Sequence, residues 1–463
     1  MKTLSIALAA LLSLQTLALA QPADTALPKP VAQAVNSLAH LEYKVYNDLT
    51  GDQPRDGLAV CVDGKGIFVT RDILPSVTAK EIKEITLTPP GLDQKPVPAR
   101  YLGADPWNTL VFLQATGENP FKPVSFGEGS KLQLGQKVYS LGLFGQNMAN
   151  APYLGEAVIS ARLSIPEDMI MVTAGELTSP SSPVLTADGK TVGFVLQQLP
   201  LVYEMTTSNQ QRAEAGLVGR QTSRFFTPIE ELAAALKEVP TDPDKIRRLP
   251  WLGILDYMPY TPLGTATAPT TVPAEQPKTG VIIGPIVPGS PAEKATLQRD
   301  DVVVALNGKP LESLATPDMV IRRFNTQLLK LPMDQPATLS VLRAGQKLDL
   351  KVNPEPMPPR PYEMPRYYNK TLGFGGRDLS IFDKYSGGAM LTERGALVML
   401  VRNQSPAANG NLQPNDLITT VNDKPTPTVD TLDTALKSAD PNATLKVTVF
   451  RAGRPQQLTI APK

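Results

Sequence analysis

The sequence predicts a mainly β protein that ends in a repeated α+β unit. Three observations carry this expectation. Short apolar runs recur through the first half of the chain, separated by glycine-containing turns. A set of motifs in the second half returns at a constant shift of 115 residues, from 290 to 405. Between them, Thr178 to Val195 joins a turn rich in serine and proline to a tight hairpin.

Bulk composition narrows the function classes. A chain of 463 residues corresponds to about three domains of ordinary size. The formal net charge of +1 gives no electrostatic ground for a nucleic-acid partner. With one cysteine, Cys61, there is no internal disulfide, and with one histidine, His40, there is no zinc site of the usual type. No metal and no cofactor is expected. The glycine run Gly373-Phe374-Gly375-Gly376 lacks the lysine and the strand-to-helix setting of a phosphate loop.

Residues 1–20 read as a secretory signal: Lys2, an apolar run from Leu4 to Leu14, and the small-residue cleavage pattern Ala18-Leu19-Ala20. No later stretch is long and apolar enough to span a bilayer, so an exported, periplasmic or secreted protein is expected. Residues 30–49 follow. Val31, Val35, Leu38, Leu41, Val45 and Leu49 recur at steps of three and four, the period of an amphipathic helix, although Leu41 to Tyr46 also suits a first strand.

The period then changes to two. Leu58 to Val62 and Ile67 to Thr70 flank a turn at Asp63-Gly64-Lys65-Gly66. Short strands are expected at 85–87, 99–101, 110–113, 137–140, 156–160 and 169–172, then the hairpin 183–185 and 191–195. Such spacing argues for a barrel or sandwich. A helix over 229–239 closes this part.

The repeat occupies the rest. Gly289-Ser290-Pro291-Ala292 returns as Gln404-Ser405-Pro406-Ala407, Asp301 as Asp416, and Asn307-Gly308-Lys309-Pro310 as Asn422-Asp423-Lys424-Pro425. Helices are expected near Thr316 to Leu329 and Val429 to Ser438. Pro259 to Thr279 reads as an inserted surface excursion, and Asn353 to Pro365, with six prolines, as a stiff linker.

The order of these segments resembles the HtrA/Deg family of exported trypsin-like serine proteases. Leu134-Gly135-Gln136-Lys137-Val138 through Gly145 is similar to that family's LGxxVxxxGxPxG stretch, and Gly155 to Ala161 to its GxVSA strand. Thr178 to Val195 resembles the nucleophile segment Gly-Asn-Ser-Gly-Gly-Pro-Leu and the hairpin after it. The resemblance implies a trypsin-like double β-barrel over residues 21–240, followed by PDZ-like α+β domains over 245–356 and 366–463. It also puts the catalytic histidine, aspartate and serine positions at Ile73, Thr109 and Pro180. None of these can do the work: isoleucine accepts no proton, threonine holds no imidazolium, and proline has neither a hydroxyl nor the N–H of an oxyanion hole. Neighbouring Ser179, Ser181 and Ser182 would need a base, and His40 is the one imidazole.

Both repeats resemble PDZ domains. Their carboxylate-binding loops would be Trp251-Leu252-Gly253-Ile254 and Thr371-Leu372-Gly373-Phe374, so Leu252, Gly253, Ile254, Leu372, Gly373 and Phe374 are the expected peptide-binding residues. The expected protein is an inactive HtrA-like pseudoprotease that binds polypeptide C-termini or unfolded segments, for quality control or scaffolding. The alternatives are a serine endopeptidase with a rearranged site and an adaptor for one dedicated partner. The resemblance further implies a homo-oligomer, a trimer.

Overall fold

The computed structural model describes residues 28–461, apart from 48–50, 74–76, 78, 106, 165–168, 196–201, 207–211, 217–223, 244–247, 261–276 and 386–392. The expected signal segment and most of the 259–279 insertion lie outside the described residues.

After a short helix, α1 (Lys29–Ala34), the chain forms two closed six-stranded barrels. The first contains β1 (Leu38–Asn47), β2 (Gly51–Cys61), β3 (Ile67–Thr70), β4 (Ile82–Thr88), β5 (Val97–Asp105) and β6 (Leu110–Ala115), in the order β1-β2-β3-β6-β5-β4. The amphipathic helix expected over 30–49 is therefore overturned for most of its length. Its apolar residues satisfy two periods at once, and pairing decides between them. β1 bonds to β2 on one edge and to β4 over His40 to Val45 on the other, which closes the barrel and pairs its backbone on both sides there.

The second barrel contains β7 (Lys137–Leu143), β8 (Pro152–Ser164), β9 (Met169–Gly175), β10 (Pro183–Leu185) and β11 (Thr191–Val195). A separate hairpin, β12 (Val202–Thr206) and β13 (Arg212–Gly216), precedes its last strand, β14 (Arg224–Pro228). The order is β10-β11-β14-β9-β8-β7. Each barrel has its own interior. A third apolar cluster, with Leu38, Val60 and Phe112 from one barrel and Leu141, Leu185 and Phe194 from the other, fuses the two. Helix α2 (Ile229–Lys237) inserts Ile229 and Leu232 into that cluster.

Two α+β units follow. The first runs β15 (Pro250–Trp251), β16 (Tyr257–Pro259), β17 (Val281–Ile283), α3 (Pro291–Lys294), β18 (Val302–Leu306), β19 (Lys309–Pro310), α4 (Pro317–Leu329), β20 (Ala337–Arg343), β21 (Gln346–Val352) and β22 (Glu355–Pro356). The second runs β23 (Arg366–Asn369), β24 (Phe374–Asp378), α5 (Ile381–Tyr385), β25 (Ala396–Val401), α6 (Pro406–Asn409), β26 (Leu417–Val421), β27 (Lys424–Pro425), α7 (Val429–Lys437), β28 (Leu445–Arg451) and β29 (Arg454–Ile460). Their main sheets match strand for strand, β16-β17-β18-β20-β21 against β24-β25-β26-β28-β29.

The repeated residues explain the repeated shape. Ser290 and Ser405 cap α3 and α6, each accepting an N–H three residues on. Asp301 and Asp416, both 1% exposed, are each gripped by a two-pronged arginine, Arg343 at 2.7 and 2.7 Å and Arg451 at 2.5 and 2.6 Å. Each arginine also donates to a carbonyl in the preceding turn, that of Thr296 or Asn411, which ties the turn after the short helix to the end of the sheet.

Candidate functional site

Three segments of the double barrel meet at Arg71. Its backbone N–H, just past β3, donates to Ser181 Oγ at 2.8 Å. Its Nη2 donates to the Asn108 carbonyl at 3.0 Å and to Thr227 Oγ1 on β14 at 3.3 Å. The β3 exit, the β5–β6 turn, the turn before β10 and β14 thus converge at the junction of the barrels.

The residues standing at the three expected catalytic positions have unlike surroundings. Ile73 is fully buried in the first barrel's interior, in one cluster with Leu41, Phe68 and Val111. Thr109 is exposed, at φ 51°, with its hydroxyl donated to the Asn108 carbonyl at 2.7 Å. Pro180 is half-buried in a turn closed by the Ser182 N–H on the Ser179 carbonyl at 3.3 Å. Ser181 follows at φ 69°, a left-handed conformation that favours glycine, which is what the family motif has at that place.

Ser181 is the serine of this turn that is drawn to Arg71, and it is held. It is 2% exposed, accepts the Arg71 N–H, and donates to the Asp72 carboxylate. Asp72 also accepts the Leu58 N–H at 2.7 Å. Burial pushes its carboxyl above the ordinary aspartate range, while these hydrogen bonds oppose the shift. Only glycine fits opposite at position 57, since a Cβ there would lie 2.4 Å from Asp72 Cβ.

The Arg71 guanidinium is 3% exposed, and burial pulls its pKa down to about 10. Its Nε and Nη1 have no hydrogen-bond partner among the described residues. His40 sits on β1 between Leu58 and Thr88, and is hydrogen-bonded to none of the three serines among the described residues. Cys61 is buried, and its thiol is pushed up to about 11, which leaves it protonated and unreactive at neutral pH. No cluster of three or more metal-ligating side chains occurs among the described residues.

Arg71 and Asp72, which fill the junction, were not among the residues expected from the sequence. The available signal was a pair of charges directly after an apolar strand whose four residues are all buried. Charges in that position either leave the core or are bonded inside it.

The two expected peptide-binding loops adopt one geometry. Gly253 and Gly373 have φ 86° and 78°. A Cβ on them would lie 2.1 and 2.3 Å from the Cβ of the capping serines Ser290 and Ser405, so only glycine fits. Leu252 and Leu372 are buried and pass their carbonyls to the N–H of Ala292 and Ala407. Ile254 and Phe374 are buried in their own unit's core. Leu252, Gly253 and Ile254 lead toward β16, and Leu372, Gly373 and Phe374 toward β24, beside α4 and α7 respectively.

Two fused six-stranded barrels followed by two such units define a trypsin-like domain with two PDZ domains. The PDZ-domain family matches residues 269–331 and 379–461. A probable periplasmic serine endoprotease, DegP-like, of Hahella chejuensis is 24% identical over 384 residues, covering 79% of this chain and 72% of its own length. Its counterpart in Chlamydia muridarum is 26% identical over 400 residues, covering 84% and 72%. Among solved structures, a variant of the HtrA-type protease AlgW with decapeptide superposes with a TM-score of 0.52 at 17% identity, covering 72% of this chain and 98% of that one. These likenesses support an HtrA/Deg-type protein, a trypsin-like double barrel followed by two PDZ domains.

Proposed function

We propose that this chain is an exported, periplasmic HtrA-type protein without proteolytic activity, which binds polypeptide C-termini or unfolded segments through its PDZ domains. The relatives are named periplasmic serine endoproteases, and one superposed neighbour carries a decapeptide. No helix among the described residues is long and apolar enough to cross a membrane. One observation carries the non-catalytic part: at the nucleophile turn the reachable hydroxyl, Ser181, is buried between an amide and a carboxylate and meets no imidazole. Acyl transfer needs a base on the nucleophile and donors for the oxyanion, and Pro180 removes one such donor. Loss of a triad costs about a million-fold in turnover in a comparable hydrolase.

A rearranged endopeptidase is the competing reading, and the Ser181–Asp72 contact favours it. One experiment separates the two. The mature protein and its Ser181→Ala variant are incubated with an unfolded protein substrate, and fragments are followed by mass spectrometry. We expect no cleavage by either, with the substrate retained in a complex. Cleavage by the parent that disappears in the variant would sink the proposal and assign Ser181 as nucleophile.

A further inference from the structure

The sheet edge of the second PDZ domain that a peptide would join is already covered by the chain itself. β23 lies antiparallel on β24, with Arg366 opposite Arg377, Tyr367 opposite Gly376, Tyr368 opposite Gly375 and Asn369 opposite Phe374. It packs on α7 as well, so it lies in the groove between strand and helix. This is the position and direction of a peptide bound by β-augmentation.

The end of β23 also imitates a peptide end. The Asn369 carbonyl accepts the Gly373 N–H at 2.8 Å, and Asn369 Oδ1 accepts the Leu372 N–H at 2.8 Å. Two oxygens of one residue thus meet two N–H groups of the loop, as the two oxygens of a terminal carboxylate would. Tyr367, on the same face two residues earlier, sets its ring on Phe374 at 6.3 Å between centroids. Its hydroxyl accepts from Asn369 Nδ2 at 2.9 Å.

The other face of β23 looks away from the groove. Arg366 Nη1 donates to Glu81 Oε1 at 2.6 Å, and the Tyr368 hydroxyl reaches the same oxygen at 3.2 Å. Glu81 belongs to the first barrel, directly before β4. The four-residue strand therefore fills the groove with its odd residues and moors to the first barrel with its even ones. The first PDZ domain is built differently. The strand before its loop, β15, pairs with β22, and β16 is the open edge of its sheet among the described residues.

The internal strand is an imperfect occupant. Past Asn369 the groove opens into a mostly apolar cavity of about 240 Å³ lined by Leu372, Leu436, Ala439 and Leu445, with Asp433, Lys437 and Asp440 also in its wall. Asn369 uses its side chain on the Leu372 N–H and leaves this apolar space to a different last residue.

We propose that Arg366–Asn369 is a tethered ligand that closes the second PDZ groove, and that a polypeptide with a free carboxylate and an apolar last residue displaces it. Displacement frees β23 from Glu81 and so loosens the second PDZ domain from the first barrel. The proposal rests on the peptide-binding reading above. A tether of this kind competes at an effective concentration of order mM, and an external peptide is weakened by the closed fraction.

The test uses the full mature chain and a fluorescent decapeptide ending in Arg-Tyr-Tyr-Leu with a free carboxylate. Hydrogen exchange over 374–378 and over 254–259 tells which groove is occupied. Two releasing variants are compared with the parent, Glu81→Ala, which acts from another domain, and Glu81→Ala with Tyr367→Ser. A third, Tyr368→Cys with Gly375→Cys, locks the strand through a disulfide. We expect binding at the second groove about ten-fold tighter in the releasing variants, none in the oxidised lock, and recovery on reduction. Equal affinity in parent and releasing variants, or binding by the oxidised lock, overturns the tether. So does binding confined to the first groove in every variant. Binding at neither groove in any variant overturns the peptide-binding reading instead.

Discussion

At the residue scale, His40 offers the cleanest reading of burial. It is 5% exposed and the chain's one imidazole, so a proton spectrum contains a single histidine titration. Burial holds its pKa below 6.5, against the opposing pull of Glu42 and Asp56. The sign follows from which state takes the proton. As pH falls through 6.5 the unfolded chain protonates while the native state resists, so stability is lost, by up to about 1.4 kcal/mol per pH unit until the native pKa is reached. The expected outcome is an imidazole midpoint below 6.5 and an acid slope in urea-unfolding stability that His40→Gln removes. A midpoint at or above 6.5 contradicts the buried, neutral assignment. The same logic makes Arg71 costly: its Nε and Nη1 have no partner among the described residues, and its Nη2 offsets part of that cost by donating to Asn108 and Thr227.

At the scale of elements, the two PDZ domains form a controlled comparison. The turns after α3 and α6 carry Thr296 at φ 61° and Asn411 at φ 62°. Asparagine tolerates that conformation, and a β-branched residue adopts it at a cost of about 1–2 kcal/mol. Thr296 nevertheless adopts it, because its carbonyl is bonded to Arg343 and its N–H to the Glu293 carbonyl. Thr296→Gly is therefore expected to stabilise the first PDZ domain by about 1 kcal/mol, and Asn411→Gly to leave the second nearly unchanged. Slower amide exchange in α4 but not α7 is the checking measurement; equal shifts in both would deny the strain. Much of this architecture was legible in the sequence. The 115-residue shift, the Asn307 and Asn422 turns and the hairpin 183–195 each combine local turn chemistry with a period-two pattern. Among the strands that were not legible, two are instructive. In β1 the apolar spacing served helix and strand alike, and only closure of the barrel decides. In β23 no residue pattern distinguishes a strand from the stiff linker before it, since its partner is the groove edge itself. Gly375 was the missed signal: a Cβ there would press to 2.8 Å on the Tyr368 ring, so the glycine records a neighbour.

At the scale of the whole molecule, the barrel junction is held by a clasp, and on the non-catalytic reading proposed above that limits what point substitutions can restore. Arg71 and Asp72 from one barrel and Ser181 and Thr227 from the other form one bonded set at the place where catalytic groups would have to meet. A histidine introduced by Ile73→His would enter a site that is fully buried among apolar side chains, which favours its neutral form and holds it away from the junction. A carboxylate introduced by Thr109→Asp would start from an exposed residue at φ 51° whose neighbouring carbonyl is occupied by Arg71. Pro180→Ser returns a hydroxyl and an N–H to a half-buried turn, yet supplies neither partner. The triple variant is expected to remain at background, both in hydrolysis of an unfolded substrate and in labelling by a fluorophosphonate probe. Geometry within about 0.5 Å is what an acyl-transfer site requires, and on the non-catalytic reading proposed above the bonded junction stands in its way. Labelling at position 180 in the triple variant, absent from Pro180→Ser alone, would show that the junction re-forms a triad unaided and that the clasp is incidental. Background activity that rises only when Arg71→Ala is added would assign the block to the guanidinium itself, and would make the clasp the feature that separates this double barrel from its proteolytic relatives.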